Sequence, residues 1–302
     1  LCELHSLVAL LIIFLFLPGP IQGEHNEDEW GTYFEHCLGK LQSPINIQRS
    51  KVRFNPDLEP LQLQGYGYRR DAFKMTNNGH SVVIHLPSSM KIIKGLPGKF
   101  TAIQLHLHWG GTEKENSGSE HTIDGLRYMA ELHIVHYNSE AYPSLDAAKN
   151  KPDGLAVLAF LFVVSTTIYA MRNAYYSDFI AKLAKIKYAG YSTTLDSLDI
   201  IAMLPENLSN FYRYHGSLTT PPCTENVIWT VFDTPIKLSY TQIDLLENTL
   251  LDWKNKTLRN DYRQIQPLNK RVVKASFSPR LFEGTLQDTH GHTHTDTLKG
   301  VK

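Results

Sequence analysis

Two short segments concentrate side chains that can hold a metal ion: Gln104-Leu105-His106-Leu107-His108-Trp109 and Glu131-Leu132-His133-Ile134-Val135-His136. Successive side chains of a β-strand alternate faces, so His106 and His108 project together, with Gln104 on the same side. By the same parity Glu131, His133 and Val135 share a face and His136 points the other way. If the two strands pair with these faces aligned, three imidazoles converge, and neutral imidazole nitrogen is a good ligand for Zn2+. Three protein ligands leave a fourth position to water, which is the arrangement of catalytic rather than structural zinc. Gln104 and Glu131 each lie two residues before a proposed ligand. There a side-chain oxygen can accept the other imidazole N–H and fix its tautomer. His-x-His alone carries little weight. In a chain with 14 histidines about one such pair is expected by chance, and structural hydrogen bonding explains these residues about as well.

Strands must position those side chains. Ser81 to Leu86, Ala102 to Trp109, Tyr128 to Tyr137, Leu155 to Val164 and Val227 to Phe232 are rich in branched and aromatic residues and read as strands. Helical spacing runs from Tyr176 to Lys187, where Phe179, Leu183 and Ile186 share a face and Gly190 follows. A second helix starts at a capping box of Ser239 and Gln242, ahead of Ile243, Leu246 and Leu250. Strands outnumber helices, so the expected class is α+β and sheet-dominated, with peripheral helices. No repeat, low-complexity linker or boundary interrupts Trp30 to Phe277, so this span reads as one domain, bounded at residues 24–280. The 30 basic and 30 acidic side chains balance, which removes an electrostatic case for binding nucleic acid or anionic lipid.

Both ends differ from this middle. Leu7 to Leu17 is an unbroken apolar run followed by Pro18-Gly19-Pro20 and Gly23. It is too short to span a membrane and resembles a secretory signal over residues 1–23, with a truncated n-region; a buried N-terminal helix is the alternative. No transmembrane helix is expected after cleavage. Removal of Cys2 leaves Cys37 and Cys223, which form either one intramolecular disulfide or two buried thiols. Asn207-Leu208-Ser209 and Asn255-Lys256-Thr257 are acceptor triplets for N-glycosylation if the chain is secreted. In residues 281–302 His290, His292 and His294 alternate with Thr and Gly beside Asp288 and Asp296. This tract reads as a solvated, disordered terminus; adventitious metal binding is the alternative.

Further segments single out one family. Gln42-Ser43-Pro44-Ile45-Asn46-Ile47, Asn77-Asn78-Gly79-His80, Gly118-Ser119-Glu120-His121-Thr122 and Gly216-Ser217-Leu218-Thr219-Thr220-Pro221-Pro222 accompany the histidine strands in order. Together they resemble the α-class carbonic anhydrases from about Trp30 to Phe277. Tyr214-His215-Gly216 and a Cys37 available to pair with Cys223 resemble the family's secreted, salivary-type branch. The resemblance implies a large central, mostly antiparallel, twisted sheet and a conical cleft. It implies reversible hydration of carbon dioxide to bicarbonate and a proton by attack of zinc-bound hydroxide, with water as co-substrate and buffer as final proton acceptor. His106, His108 and His133 match the Zn2+ ligands. Thr219 matches the hydroxyl that orients the nucleophile and donates to Glu120, and His80 matches the proton shuttle. Val135, Val157, Leu218 and Trp229 match the apolar wall beside the substrate, and Thr220 lines the cleft. His121 and His136 match buried structural histidines.

Without the resemblance, Glu120 reads as a surface charge, Thr219 as a turn residue, His80 as an inert surface histidine, and the apolar set as sheet core. Two departures concern cleft water: Thr32 stands where some members carry Tyr, and Val83 where others carry a polar residue. The polar tail also differs from the amphipathic end of salivary-type members. A catalytically silent binding module is the alternative function, although such members lack one or more metal histidines and all three are present here. A third reading places zinc storage in the tail.

Overall fold

Alternating side chains decide which segments join the sheet. The computed structural model describes residues 27–111, 117–165 and 172–279; the apolar leader and the histidine-rich tail lie outside them. Ten strands form a continuous path: β1 (Arg53–Phe54), β2 (Arg69–Asn77), β3 (Val82–His85), β4 (Phe100–Trp109), β5 (Ala130–Asn138), β6 (Leu155–Val164), β7 (Ser192–Leu198), β8 (Phe211–Gly216), β9 (Val227–Leu238) and β10 (Lys274–Ala275). Their spatial order is β7-β2-β3-β4-β5-β6-β9-β8-β10-β1. Neighbours are antiparallel except at β6/β9 and β10/β1. The five strands read from the sequence are all present. Those it did not show are the two-residue strands β1 and β10, and β2, β7 and β8, which carry exposed or polar positions. The edge strand β7 reads Ser-Thr-Thr-Leu-Asp-Ser-Leu and buries only Leu195 and Leu198.

Both faces of the sheet are covered, which is why its central strands are buried almost end to end rather than on alternate residues. On one face Leu105, Leu107, Trp109, Leu132, Ile134, Phe160 and Phe232 pack into the larger core, where the Phe160 and Phe232 rings stack 4.4 Å apart. The opposite face holds Ile45, Val135, Val157, Tyr212 and Trp229. The helix Tyr240–Thr249 starts with the expected capping box: the Ser239 hydroxyl accepts the Gln242 N–H, and the Gln242 side chain accepts the Ser239 N–H. The segment expected as one helix from Tyr176 is divided, with a 3-10 turn at Ala174–Tyr176, an α-helix at Ser177–Lys182 and a 3-10 turn at Leu183–Ile186. Phe179, Leu183 and Ile186 are nevertheless all buried, so the apolar face was read correctly. Cys37 and Cys223 form a disulfide across 186 residues, and the alternative of two thiols falls.

His136 shows how the core treats a polar group. Its Nδ1–H donates to the Ala156 carbonyl at 3.3 Å, which leaves Nε2 to accept the Tyr66 hydroxyl. Burial, partly opposed by hydrogen bonds to the Ala156 and Ile134 carbonyls, lowers its pKa from 6.5 to about 4. The unfolded chain therefore binds a proton at this residue below pH 6.5 that the folded chain takes up only near pH 4. Stability contributed by neutral His136 is present above that window and is lost as pH falls through it, by roughly 3 kcal/mol. A His136→Gln protein is expected to show a shallower fall in urea midpoint between pH 6.5 and 4 than the unaltered chain; equal slopes contradict this assignment.

Candidate active site

The site follows from one register. Strands β4 and β5 pair so that His133 lies across from His106, Glu131 across from His108, and Val135 across from Gln104. All six side chains share a face, as parity requires. The imidazole centroids lie 5.0 Å (His106/His108), 5.1 Å (His106/His133) and 4.7 Å (His108/His133) apart. His133 Nε2–H donates to Glu131 Oε1 at 2.7 Å, so Nδ1 is turned inward. His108 Nδ1–H donates to the Asp261 carbonyl at 2.6 Å, so Nε2 faces the centre, where it is buried without a hydrogen-bond partner. His106 Nε2 lies 3.3 Å from His133 Nδ1. A tetrahedral Zn2+ with bonds of about 2.0–2.1 Å needs nitrogens roughly 3.4 Å apart, and the three ring nitrogens lie within 4.8 Å of one another. The donor set, the orphaned His108 nitrogen and the spacing fit such an ion. Within this group the described residues supply three imidazoles and no fourth side chain.

Electrostatics favour a cation at the same point. Burial, reinforced by the neighbouring His108 and His133, holds His106 well below the usual imidazole range, and burial lowers His133 despite Glu131. For His108 burial is outweighed by Glu120 and Asp261, and its pKa rises. Glu131 would be raised by burial, but His121 and His133 keep it well below the usual carboxylate range. Ionised carboxylate thus stands behind mostly neutral imidazole, a donor set short of positive charge. Glu131 is fixed from several sides: Oε1 also accepts His121 Nδ1–H at 2.7 Å and Oε2 accepts the His121 N–H at 2.7 Å. His121 Nε2 then accepts the Tyr214 hydroxyl at 2.7 Å, which bonds Ser43 Oγ at 2.8 Å.

The remaining expected residues line one cavity of about 370 Å3. Val135, Val157 and Trp229 occupy facing positions on β5, β6 and β9 and make an apolar row, which Leu218 extends. Thr219 is buried and Thr220 exposed on the loop after β8. That loop is held by the Trp229 Nε1–H to the Ser217 carbonyl at 2.9 Å and by the Cys37–Cys223 bridge. Gly118 is required before Glu120: at φ 149° a Cβ there would lie 1.9 Å from the Tyr128 carbonyl oxygen. His80 follows a turn in which Asn78 Oδ1 accepts the His80 and Ser81 N–H groups. Its Nε2 is buried without a partner, and burial, opposed by Asp252, lowers its pKa. Asn207 and Asn255 are both exposed, and neither lines the cavity.

Two expected bonds are not formed. Gln104 Oε1 and His106 Nδ1 are each buried without a hydrogen-bond partner. Same-face neighbours on a strand are nearly 7 Å apart, so such a contact needs the acceptor to be aimed. Glu131 is aimed by the His121 amide, whereas the Gln104 oxygen has no anchor. Glu120 Oε1 accepts the Arg263 N–H at 2.9 Å, but Oε2 accepts nothing, so Thr219 does not donate to it here. That oxygen leans toward the imidazoles instead, 3.5 Å from His108 Nε2 and 3.9 Å from His133 Nδ1. Sequence reasoning missed Asp261 and Arg263. Each holds a site residue by a main-chain atom, the Asp261 carbonyl on His108 and the Arg263 amide on Glu120, and such contacts leave no mark in residue type.

Fold and site together define a sheet-based enzyme with a three-histidine centre at the floor of a cleft. A family model of eukaryotic-type carbonic anhydrase matches residues 25–277, and the chain belongs to that family and is an enzyme of its activity, with carbon dioxide, bicarbonate and water as reactants. It is 51% identical to carbonic anhydrase 6 of Homo sapiens over 283 residues, covering 91% of this chain and 90% of that protein. It is 53% identical to carbonic anhydrase 6 of Bos taurus over 256 residues, covering 85% and 79%. It is 40% identical to carbonic anhydrase 12 of Homo sapiens over 293 residues, covering 91% and 81%. The branch of the family that Tyr214-His215-Gly216 and the two cysteines resemble is the one to which carbonic anhydrase 6 belongs, and that resemblance is borne out.

Replacing Glu131 by Gln keeps its shape but removes the charge behind His133. Zinc affinity, read by competition with a chromophoric chelator, is expected to fall about 10–100-fold. Unchanged affinity contradicts the role given to Glu131.

Proposed function

We propose that His106, His108 and His133 hold Zn2+, and that the chain hydrates carbon dioxide reversibly with His80 carrying the released proton to buffer. The convergence of three imidazoles beside an apolar row, two of them with the tautomer fixed by a hydrogen bond, is the observation that supports this most. Zinc bound there supplies a nucleophile at neutral pH by lowering the pKa of a water to about 7, a value known from carbonic anhydrase itself.

The chain's own residues do the rest. Glu120 is held by the Arg263 amide on one oxygen and keeps the other free for the Thr219 hydroxyl. Once that hydroxyl donates to carboxylate, Thr219 Oγ1 can only accept, and so it orients the attacking group by its proton. The row of Val135, Val157, Leu218 and Trp229 suits a small uncharged substrate that offers few hydrogen bonds. Bicarbonate, being charged, is poorly held by that wall and exchanges with water. His80 reaches the cavity from its rim, where an imidazole can take a proton and release it to solvent buffer.

Secretion is part of the proposal. An apolar leader over residues 1–23 ahead of a domain at 24–280, a disulfide, and exposed acceptor triplets at Asn207 and Asn255 support it. Among the described residues no helix is long and apolar enough to cross a membrane. The silent-module alternative loses support because all three imidazoles and Glu120 are in place.

His80→Ala is expected to lower hydration turnover in weak buffer at least about tenfold while leaving kcat/KM unchanged, with recovery on adding imidazole. Turnover that stays constant in the variant contradicts the shuttle.

A further inference from the structure

We propose that Glu27 is a second proton-transfer group of this cleft, serving chiefly the dehydration of bicarbonate under mildly acidic conditions. The proposal rests on the hydration reading above and extends its proton path.

Glu27 lines the same cavity as His80 and Glu120, and 27% of its side chain is exposed, so it meets both the interior and the solvent. Its anchoring relates it directly to the centre. The Arg263 N–H donates to Glu120 Oε1 at 2.9 Å, and the next amide, Gln264 N–H, reaches the two Glu27 oxygens at 3.0 and 3.2 Å. Consecutive residues are only about 3.8 Å apart at Cα, so one short segment presents two carboxylates to the cleft. One belongs to the centre and the other to the mouth.

Arg263 does not lock Glu27 into a paired salt bridge. Its Nε lies 3.8 Å from Glu27 Oε1 without a hydrogen bond. The other guanidinium nitrogens are used elsewhere, Nη1 on Gln42 Oε1 and the Ser43 carbonyl, Nη2 toward the Cys37 carbonyl. The Glu27 oxygens therefore keep lone pairs for water. The groups acting on its charge are Arg263 and the Gln264 amide, which favour the carboxylate, and Glu120 and Asp28, which oppose it. Burial is the largest influence, and the carboxyl is raised above its ordinary 4.5. His80 moves the other way, below 6.5. The two groups approach one another in proton affinity from opposite sides.

Dehydration converts bicarbonate and one proton into carbon dioxide and water, so the donor must be protonated at the working pH. In its carboxylic-acid form, whose share burial enlarges and falling pH increases, Glu27 passes a proton through water toward the centre and is reprotonated by the acid form of the buffer. In hydration at alkaline pH its carboxylate is a weaker acceptor than imidazole, and His80 dominates.

The test compares the zinc-loaded unaltered chain with His80→Ala, Glu27→Gln and the double variant, in weak buffer, for dehydration near pH 5.5 and hydration near pH 8. Gln keeps an oxygen for the Gln264 amide. The expected result is a loss of about two- to threefold in dehydration turnover for Glu27→Gln, and about tenfold for the double variant relative to His80→Ala, with kcat/KM and zinc content unchanged. Acetate is expected to restore the double variant. Infrared difference spectra are expected to show a protonated-carboxyl band that titrates at higher pH than an exposed glutamate and is missing in Glu27→Gln. A double variant equal to His80→Ala at pH 5.5 overturns the proposal while leaving the His80 relay standing. A fall in kcat/KM or zinc content overturns it in favour of a purely structural role. If His80→Ala leaves alkaline hydration unchanged, the relay reading itself has failed, and the outcome is distinguishable from the other two.

Discussion

The pairing of His106 with His133 across β4 and β5 is the constraint on which the rest of the molecule depends. A slip of one residue would send one strand's polar set into the larger core and bring Leu105 or Leu107 to the cleft. The apolar positions between the histidines prevent it. Leu105, Leu107, Trp109, Leu132 and Ile134 are essentially fully buried on the far face, and each would lose its contacts in any other register. Chemistry on one face is thus specified by packing on the other.

Register brings the imidazoles together, and hydrogen bonds choose which nitrogens meet. Two of the three tautomers are fixed in this way, with help from groups remote in sequence. The Asp261 carbonyl turns His108, and Glu131, itself held by His121, turns His133. The chain from Glu131 through His121 and Tyr214 to Ser43 ties the histidine face of the sheet to the segment that also carries Gln42, and Arg263 joins Gln42 to Glu120. Buried polar groups of this kind are costly when left unpaired, so the network makes the site's geometry a property of the whole fold. The Cys37–Cys223 bridge secures the loop bearing Thr219 to the same region.

Much of this was legible because strand parity is a local property. Alternation placed His106 with His108 and Glu131 with His133, the observed pairing aligns those two faces, and the capping box of Ser239 and Gln242 marked a helix start that the structure reproduces. The motifs around Glu120 and Thr219 needed the family resemblance, since a glutamate and a threonine in loops have no chemistry of their own to announce. What remained hidden has a common cause. Strands β2, β7 and β8 depend on pairing partners far along the chain, and Asp261 and Arg263 contribute a carbonyl and an amide that every residue possesses. The Gln104 oxygen shows the converse: correct spacing is insufficient when nothing aims the group.

The most direct test is zinc content measured alongside stopped-flow hydration of carbon dioxide, before and after removal of metal by a chelator and after its return. The account predicts one zinc per chain, activity lost with the metal and regained with it, and neither bound metal nor activity when His106, His108 and His133 are replaced together. Hydration that persists without zinc, or a chain that holds zinc at these histidines and hydrates nothing, would contradict it.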